Sequence, residues 1–222
     1  MDGKASSILY YVHDPMCSWC WGYRRSWEKM QYELPRSLSV VNVVGGLSPD
    51  SDTPMPIAQQ KTIAGYWEKI AQETNAEFNF DFWTRCKPRR STYPACRAVL
   101  AAHKQQAENE MIYAIQRAYY LRAMNPSNDT TLTRLALELG LNVEQFTADL
   151  ASPEIQAALE RNLTLRNELN VYGFPSLILK IGEKLFSIPV DYRSHHTGLE
   201  AIDNFLFAND RFRNSMLLQD AE

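Results

Sequence analysis

Cys17 and Cys20, separated by Ser18-Trp19, are the residues of this 222-residue chain whose type and spacing most directly offer chemistry. Two thiols one helical turn apart can hold a metal or cycle between dithiol and disulfide. Their surroundings favour the second. Residues 8–12, Ile-Leu-Tyr-Tyr-Val, are a continuous apolar run that reads as a strand buried on both faces. From Cys20 onward, Tyr23, Trp27, Met30 and Leu34 recur at steps of three and four, the period of one helix face, and Pro35 stops the run. Residues 40–44, Val-Val-Asn-Val-Val, read as a second strand closed by Gly45-Gly46. The pattern predicts a βαβ unit with the dithiol at the amino end of its helix.

That position activates a thiol. The first helical turn carries unpaired N–H groups and the positive end of the helix dipole, and both stabilise a thiolate. A cysteine of pKa about 8.5 is only about 3% thiolate at pH 7, and one lowered to about 6 is about 90% thiolate. Cys17 is expected at the exposed helix start, and Cys20 one turn further in on the inward face. One accessible sulfur that attacks and one covered sulfur that resolves is the arrangement thiol–disulfide exchange needs.

The rest of the chain must position this pair. Residues 48–56 are rich in Ser, Pro and Asp and read as a turn-rich exit from the second strand. Helical patterns follow over 57–71, 92–106 and 108–124, with Phe78, Phe80, Phe82 and Trp83 in a packed loop between the first two. A short helix opens at Thr130-Thr131 and ends at Gly140; Asn142 with Gln145, and Ser152-Pro153-Glu154, mark two further helix starts. Residues 176–181 and 185–188 read as a hairpin turning at Gly182-Glu183-Lys184, and 197–208 as a last amphipathic helix before a polar tail. The predicted architecture is α/β: a thioredoxin-like unit from 1–48 and 153–222, with 49–152 as an inserted helical subdomain.

Composition narrows the partners. The net charge of −3 gives no electrostatic reason to expect nucleic acid or an anionic membrane. No apolar run approaches a membrane span, and the first residues lack the pattern of a signal peptide, so a cytoplasmic location is expected. Four cysteines are too few for a disulfide scaffold.

Asp14-Pro15-Met16-Cys17-Ser18-Trp19-Cys20-Trp21-Gly22, together with Gly173-Phe174-Pro175-Ser176, resembles the DsbA-like thioredoxin-fold oxidoreductases, and among them the FrnE-like group of protein-disulfide isomerases. The likeness covers nearly the whole chain. It implies thiol–disulfide oxidoreductase or isomerase activity with Cys17 as nucleophile and Cys20 as resolving thiol. It also implies a cis Pro175 facing the dithiol, with Phe174-Pro175 docking an extended substrate. Ser18 and Trp19 would tune the pair without a formal charge. The implied chemistry needs no bound cofactor, with glutathione a candidate co-substrate, and acts on protein or small-molecule thiols and disulfides as a monomer or homodimer. The chain departs from the family at Tyr11, where many members carry a buried carboxylate; Asp14 or His13 could substitute, and Asp14 reads equally well as a turn residue.

Rival readings attach to the same residues. Kappa-class glutathione transferases and 2-hydroxychromene-2-carboxylate isomerases share this fold but use a serine at the first position. A zinc-binding interaction module would need ligands beyond Cys17 and Cys20; Cys86 and Cys96 are widely separated, and His195-His196 are adjacent rather than spaced as ligands. No metal-binding residues are therefore expected in the chain. Cys86 and Cys96 read as structural, His103, His195 and His196 as surface or helix-end residues, and Arg89-Arg90 as a solvated loop. Tyr93, Tyr113, Tyr119 and Tyr120 read as core between helices, or as lining above the dithiol.

Overall fold

A computed structural model describes residues 7–219, with side chains through Asn209. The opening βαβ unit is β1 (Ser7–His13), α1 (Ser18–Glu33) and β2 (Ser39–Val44). A block of helices follows: α2 (Ile57–Thr74), α3 (Phe82–Arg85), α4 (Tyr93–His103), α5 (Glu108–Tyr120), α6 (Asp129–Glu138), α7 (Val143–Leu150) and α8 (Pro153–Glu168). The chain closes with β3 (Ser176–Ile181), β4 (Lys184–Ile188) and α9 (His196–Gln219). The sheet order is β2-β1-β3-β4, with β1 parallel to β2 and antiparallel to β3.

Both faces of the sheet are covered, as the unbroken apolar run of β1 requires. Leu9 and Tyr11 of β1 join Leu177, Leu179 and Ile181 of β3 under Tyr23, Trp27 and Met30 of α1 and Ile202 of α9. Val12, Val43 and Ile178 face the other way, against Leu169 and Val171, with Leu165 of α8 packed beside them. A second core lies among the helices, built from buried residues such as Trp67, Met111, Ile115, Leu132 and Phe146.

Register positions the site. Val12 pairs with Ser176, so one further step sets His13 beside Pro175 where the two strands leave the sheet. α1 begins at this same edge, and Gly22 lets it approach α2: a Cβ there would press on Ile70 and Thr74.

Caps follow the sequence signals. Asn142 Oδ1 accepts the Gln145 N–H at 3.0 Å, and Ser152 Oγ accepts the Ile155 N–H at 3.1 Å. Two expectations change. The Phe78–Trp83 loop contains the single helical turn of α3 at its end. The last helix runs to Gln219 rather than 208, because no glycine or proline after Gly198 interrupts it. Among the described residues, no helix is long and apolar enough to cross a membrane.

Candidate active site

Cys17 is the N-cap of α1. Its backbone is extended (φ −79°, ψ 118°), and its sulfur accepts the Cys20 N–H at 3.4 Å. The place usually held by a serine or aspartate oxygen is held here by the candidate nucleophile. The Cys17 thiol also points at the Phe174 carbonyl oxygen, 3.6 Å away across 157 residues of sequence. The Phe174–Pro175 peptide bond is cis. Cys17 and the Phe174-Pro175 turn are thus brought together, with Ser18, Trp19, Gly173 and Phe174 around one groove.

Cys17 is not exposed, contrary to the sequence expectation: only 6% of it meets solvent, and Cys20 is fully buried. The helical block covers the helix start, and Cys17 lines a groove of about 250 Å³ beside it. Burial, and next the adjacent Cys17 sulfur, push the Cys20 thiol well above its usual range, so Cys20 holds its proton. Negative charge on the pair also reaches Tyr11, whose hydroxyl burial and the two sulfurs together push up.

Asp14 serves as both turn residue and buried carboxylate. Its carbonyl accepts the Cys17 N–H at 3.0 Å, closing the turn into α1. Oδ1 accepts the Met16 N–H at 2.8 Å; Oδ2 accepts the Leu47 N–H and the Thr92 hydroxyl, each at 2.7 Å, and the Cys96 thiol at 3.6 Å. Burial raises its pKa, and these donors oppose the rise. Thr92 sits at the N-cap of α4, yet its hydroxyl goes to Asp14 instead of capping the helix. Tyr120 of α5 adds a second clamp, donating to the Met16 carbonyl at 2.7 Å.

His13 is fully buried and stacks on Tyr11 with ring centroids 4.9 Å apart. Neither ring nitrogen has a hydrogen-bond partner. Burial, with a smaller push from Arg24, lowers its pKa to about 3, so it is neutral near pH 7.

The groove walls come from the helical block. Met55, Ile63, Tyr66, Trp67 and Tyr119 supply apolar surface, and Arg89 and Arg90 supply charge. Arg89-Arg90 is therefore part of the site's wall, not only a solvated loop; the Arg89 guanidinium is anchored on the Ser127 carbonyl. Tyr119 lines the groove, while Tyr113 is exposed and holds the Arg24 guanidinium 4.3 Å above its ring. Trp19 meets Tyr192 edge-on at 5.1 Å. Phe174 lies against Gly45, where any Cβ would overlap its ring. Cys86 and Cys96 are free thiols; Cys86 donates to the Ala123 carbonyl at 3.1 Å. Thr92, Cys96 and Tyr120 lie 78 to 104 residues from their partners, and no local pattern marks them.

A sulfur-capped helix facing a cis-proline turn, on a sheet of this order, defines a DsbA-like thioredoxin fold. The thioredoxin family profile matches residues 10–183, and the chain belongs to that family. A Nitrosomonas europaea structure, described as a candidate protein disulfide isomerase, superposes with a TM-score of 0.80 at 27% identity, covering 91% of this chain and 98% of that one. The cytosolic disulfide reductase DsbM of Pseudomonas aeruginosa gives 0.71 at 26% identity, covering 93% and 98%. The ClpXP adapter protein SpxH of Bacillus subtilis is 25% identical over 173 residues, which are 76% of this chain and 56% of the adapter. The chain thus spans little more than half the length of the curated relatives it matches.

Proposed function

We propose that the protein is a thiol–disulfide oxidoreductase whose Cys17-Ser18-Trp19-Cys20 dithiol reduces or isomerises disulfides of proteins or small thiols in the cytoplasm. The observation that carries this is the Cys17 sulfur, held by the Cys20 N–H on one side and the Phe174 carbonyl on the other. The Cys17 thiolate attacks one sulfur of a substrate disulfide, forms a mixed disulfide and expels the other sulfur as thiolate. Cys20 then attacks the Cys17 sulfur and gives its proton to a departing thiolate. With the proton that Cys17 released on ionising taken up by the other thiolate, the substrate leaves as two thiols and the enzyme as a Cys17–Cys20 disulfide. Two equivalents of a thiol such as glutathione, or a thioredoxin-type dithiol, restore the pair. DsbM, similar over nearly its whole length, has been solved with GSH.

Burial of Cys20 separates the two roles, since only Cys17 meets the groove. Cys20→Ser is expected to accumulate mixed disulfides on Cys17 when offered an oxidised protein, seen as a mass adduct lost on reduction. Cys17→Ser should form none while staying folded, because serine also caps a helix. Adducts on both variants, or on neither, would refute the assignment.

A second reading, partner binding of the kind the SpxH name denotes, draws on the apolar rim of Leu47, Tyr66 and Tyr172, each at least 39% exposed. It needs no sulfur. A partner retained equally by Cys17→Ser and by the parent would favour it.

A further inference from the structure

At the opposite end of α1 from the dithiol, Glu33 meets His195 and His196 at the start of α9. Glu33 Oε1 lies 2.8 Å from His195 Nε2, and Oε2 lies 4.0 Å from His196 Nδ1. A simple hydrogen bond would need only the first histidine. The second is too far to make one, yet it turns a ring nitrogen toward the other carboxylate oxygen. The three donor atoms all lie within 4.8 Å of one another. Ligands bonded at 2.0–2.1 Å in a tetrahedral zinc site stand about 3.3 Å apart, so closing the trio on an ion takes small side-chain rotations. We propose that Glu33, His195 and His196 form a site for a borderline divalent cation, zinc by preference, that ties the last turn of α1 to the first turn of α9.

The segment carrying the histidines is held in place. Asp191 Oδ1 accepts the N–H groups of Arg193 and Ser194 at 2.8 and 3.1 Å, and Oδ2 accepts the Thr197 hydroxyl at 2.8 Å. Ser26 of α1 donates to the Tyr192 carbonyl at 3.2 Å, fixing this segment against the helix that bears Glu33. His195 is 13% exposed, while His196 and Glu33 are 63% and 44% exposed, leaving room for water as further ligands. Two imidazoles and one carboxylate with open positions suit zinc better than a hard cation such as calcium. The negative end of α1 and the positive end of α9 meet here and offset one another. Lys29 and Arg193 line the same cleft as His195 and disfavour a cation, so binding weaker than at a closed four-ligand site is expected.

The test uses the full chain carrying Cys17→Ser and Cys20→Ser, which removes the dithiol as a competing ligand. Calorimetry with Zn2+ should give one equivalent bound, Co2+ should give the visible spectrum of nitrogen and oxygen ligation, and zinc should raise the melting temperature. His196→Ala and Glu33→Gln should each weaken zinc binding at least as much as the about 10- to 100-fold typical of losing an outer-shell partner, and His196→Ala should abolish the melting shift. His196 is solvent-facing, so its variant should fold. No zinc uptake at micromolar free metal, or uptake unchanged by His196→Ala, would overturn the site.

Discussion

The sheet with α1 and the helical block divide the labour. The first holds the two sulfurs and the cis-proline turn at a sheet edge whose register is fixed by strand pairing. The second contributes no thiol to the groove, but it supplies half of the lining residues and the clamps on Asp14 and Met16. The lesson is that a sulfur on an otherwise open helix start becomes a sulfur at the bottom of a groove. The thiols come from the sheet half, and their cover comes from the block.

Trp67 offers the largest way to break this division. It is fully buried, with six aromatic rings around it, their centroids from 4.9 Å (Trp83) to 5.9 Å (Phe80) away. Trp67→Ala should cost about 3–5 kcal/mol in urea unfolding. If the division holds, a surviving folded fraction should still react at Cys17 with a small disulfide, with its preference among protein substrates reduced.

His13 sharpens the sheet side. Its folded pKa of about 3 lies below the unfolded value of 6.5, so the stability linked to its neutral form is present above about pH 6.5. That stability is lost as pH falls toward 3, with a limiting slope of about 1.4 kcal/mol per pH unit. His13→Phe keeps the stack on Tyr11 and should flatten this part of the curve, measured by urea titrations at neutral and mildly acidic pH. An unchanged slope would place the acid sensitivity elsewhere.

Arg90 gives the smallest effect. Its side chain is exposed at the groove and has no carboxylate partner among the described residues. Arg90→Ala should raise KM for disulfides flanked by acidic residues about two- to fivefold, the range of an exposed charge pair, and leave kcat and neutral substrates unchanged. Equal losses on all substrates would show that the block acts on the chemistry itself.

How far the sequence could be read follows from the range of each interaction. β1, α1 and β2 are written in local periodicity, and the caps at Asn142 and Ser152 in single residues, so both are legible. The pairing of Cys17 with Phe174 is a contact across 157 residues that only the family resemblance suggested. Burial of Cys17 was not legible, because it depends on packing of helices whose own patterns say nothing about which strand edge they cover. Thr92 illustrates the same limit: it opens the 92–106 helical pattern, while its hydroxyl serves a carboxylate 78 residues earlier. Glu33, at the end of the helical run that Pro35 stops, gives no hint that two histidines will meet it.

Because Cys17 caps α1, the proposed dithiol–disulfide exchange and helix integrity are bound into one thermodynamic cycle. A thiolate takes the Cys20 N–H more strongly than the neutral sulfur of a disulfide does, so oxidation loosens the first turn of the helix. The difference in unfolding free energy between the two forms must reappear in the equilibrium with the reductant, at about 30 mV for each 1.4 kcal/mol. Denaturation curves of the oxidised and reduced chain are therefore a way to weigh its driving force without a single electrode.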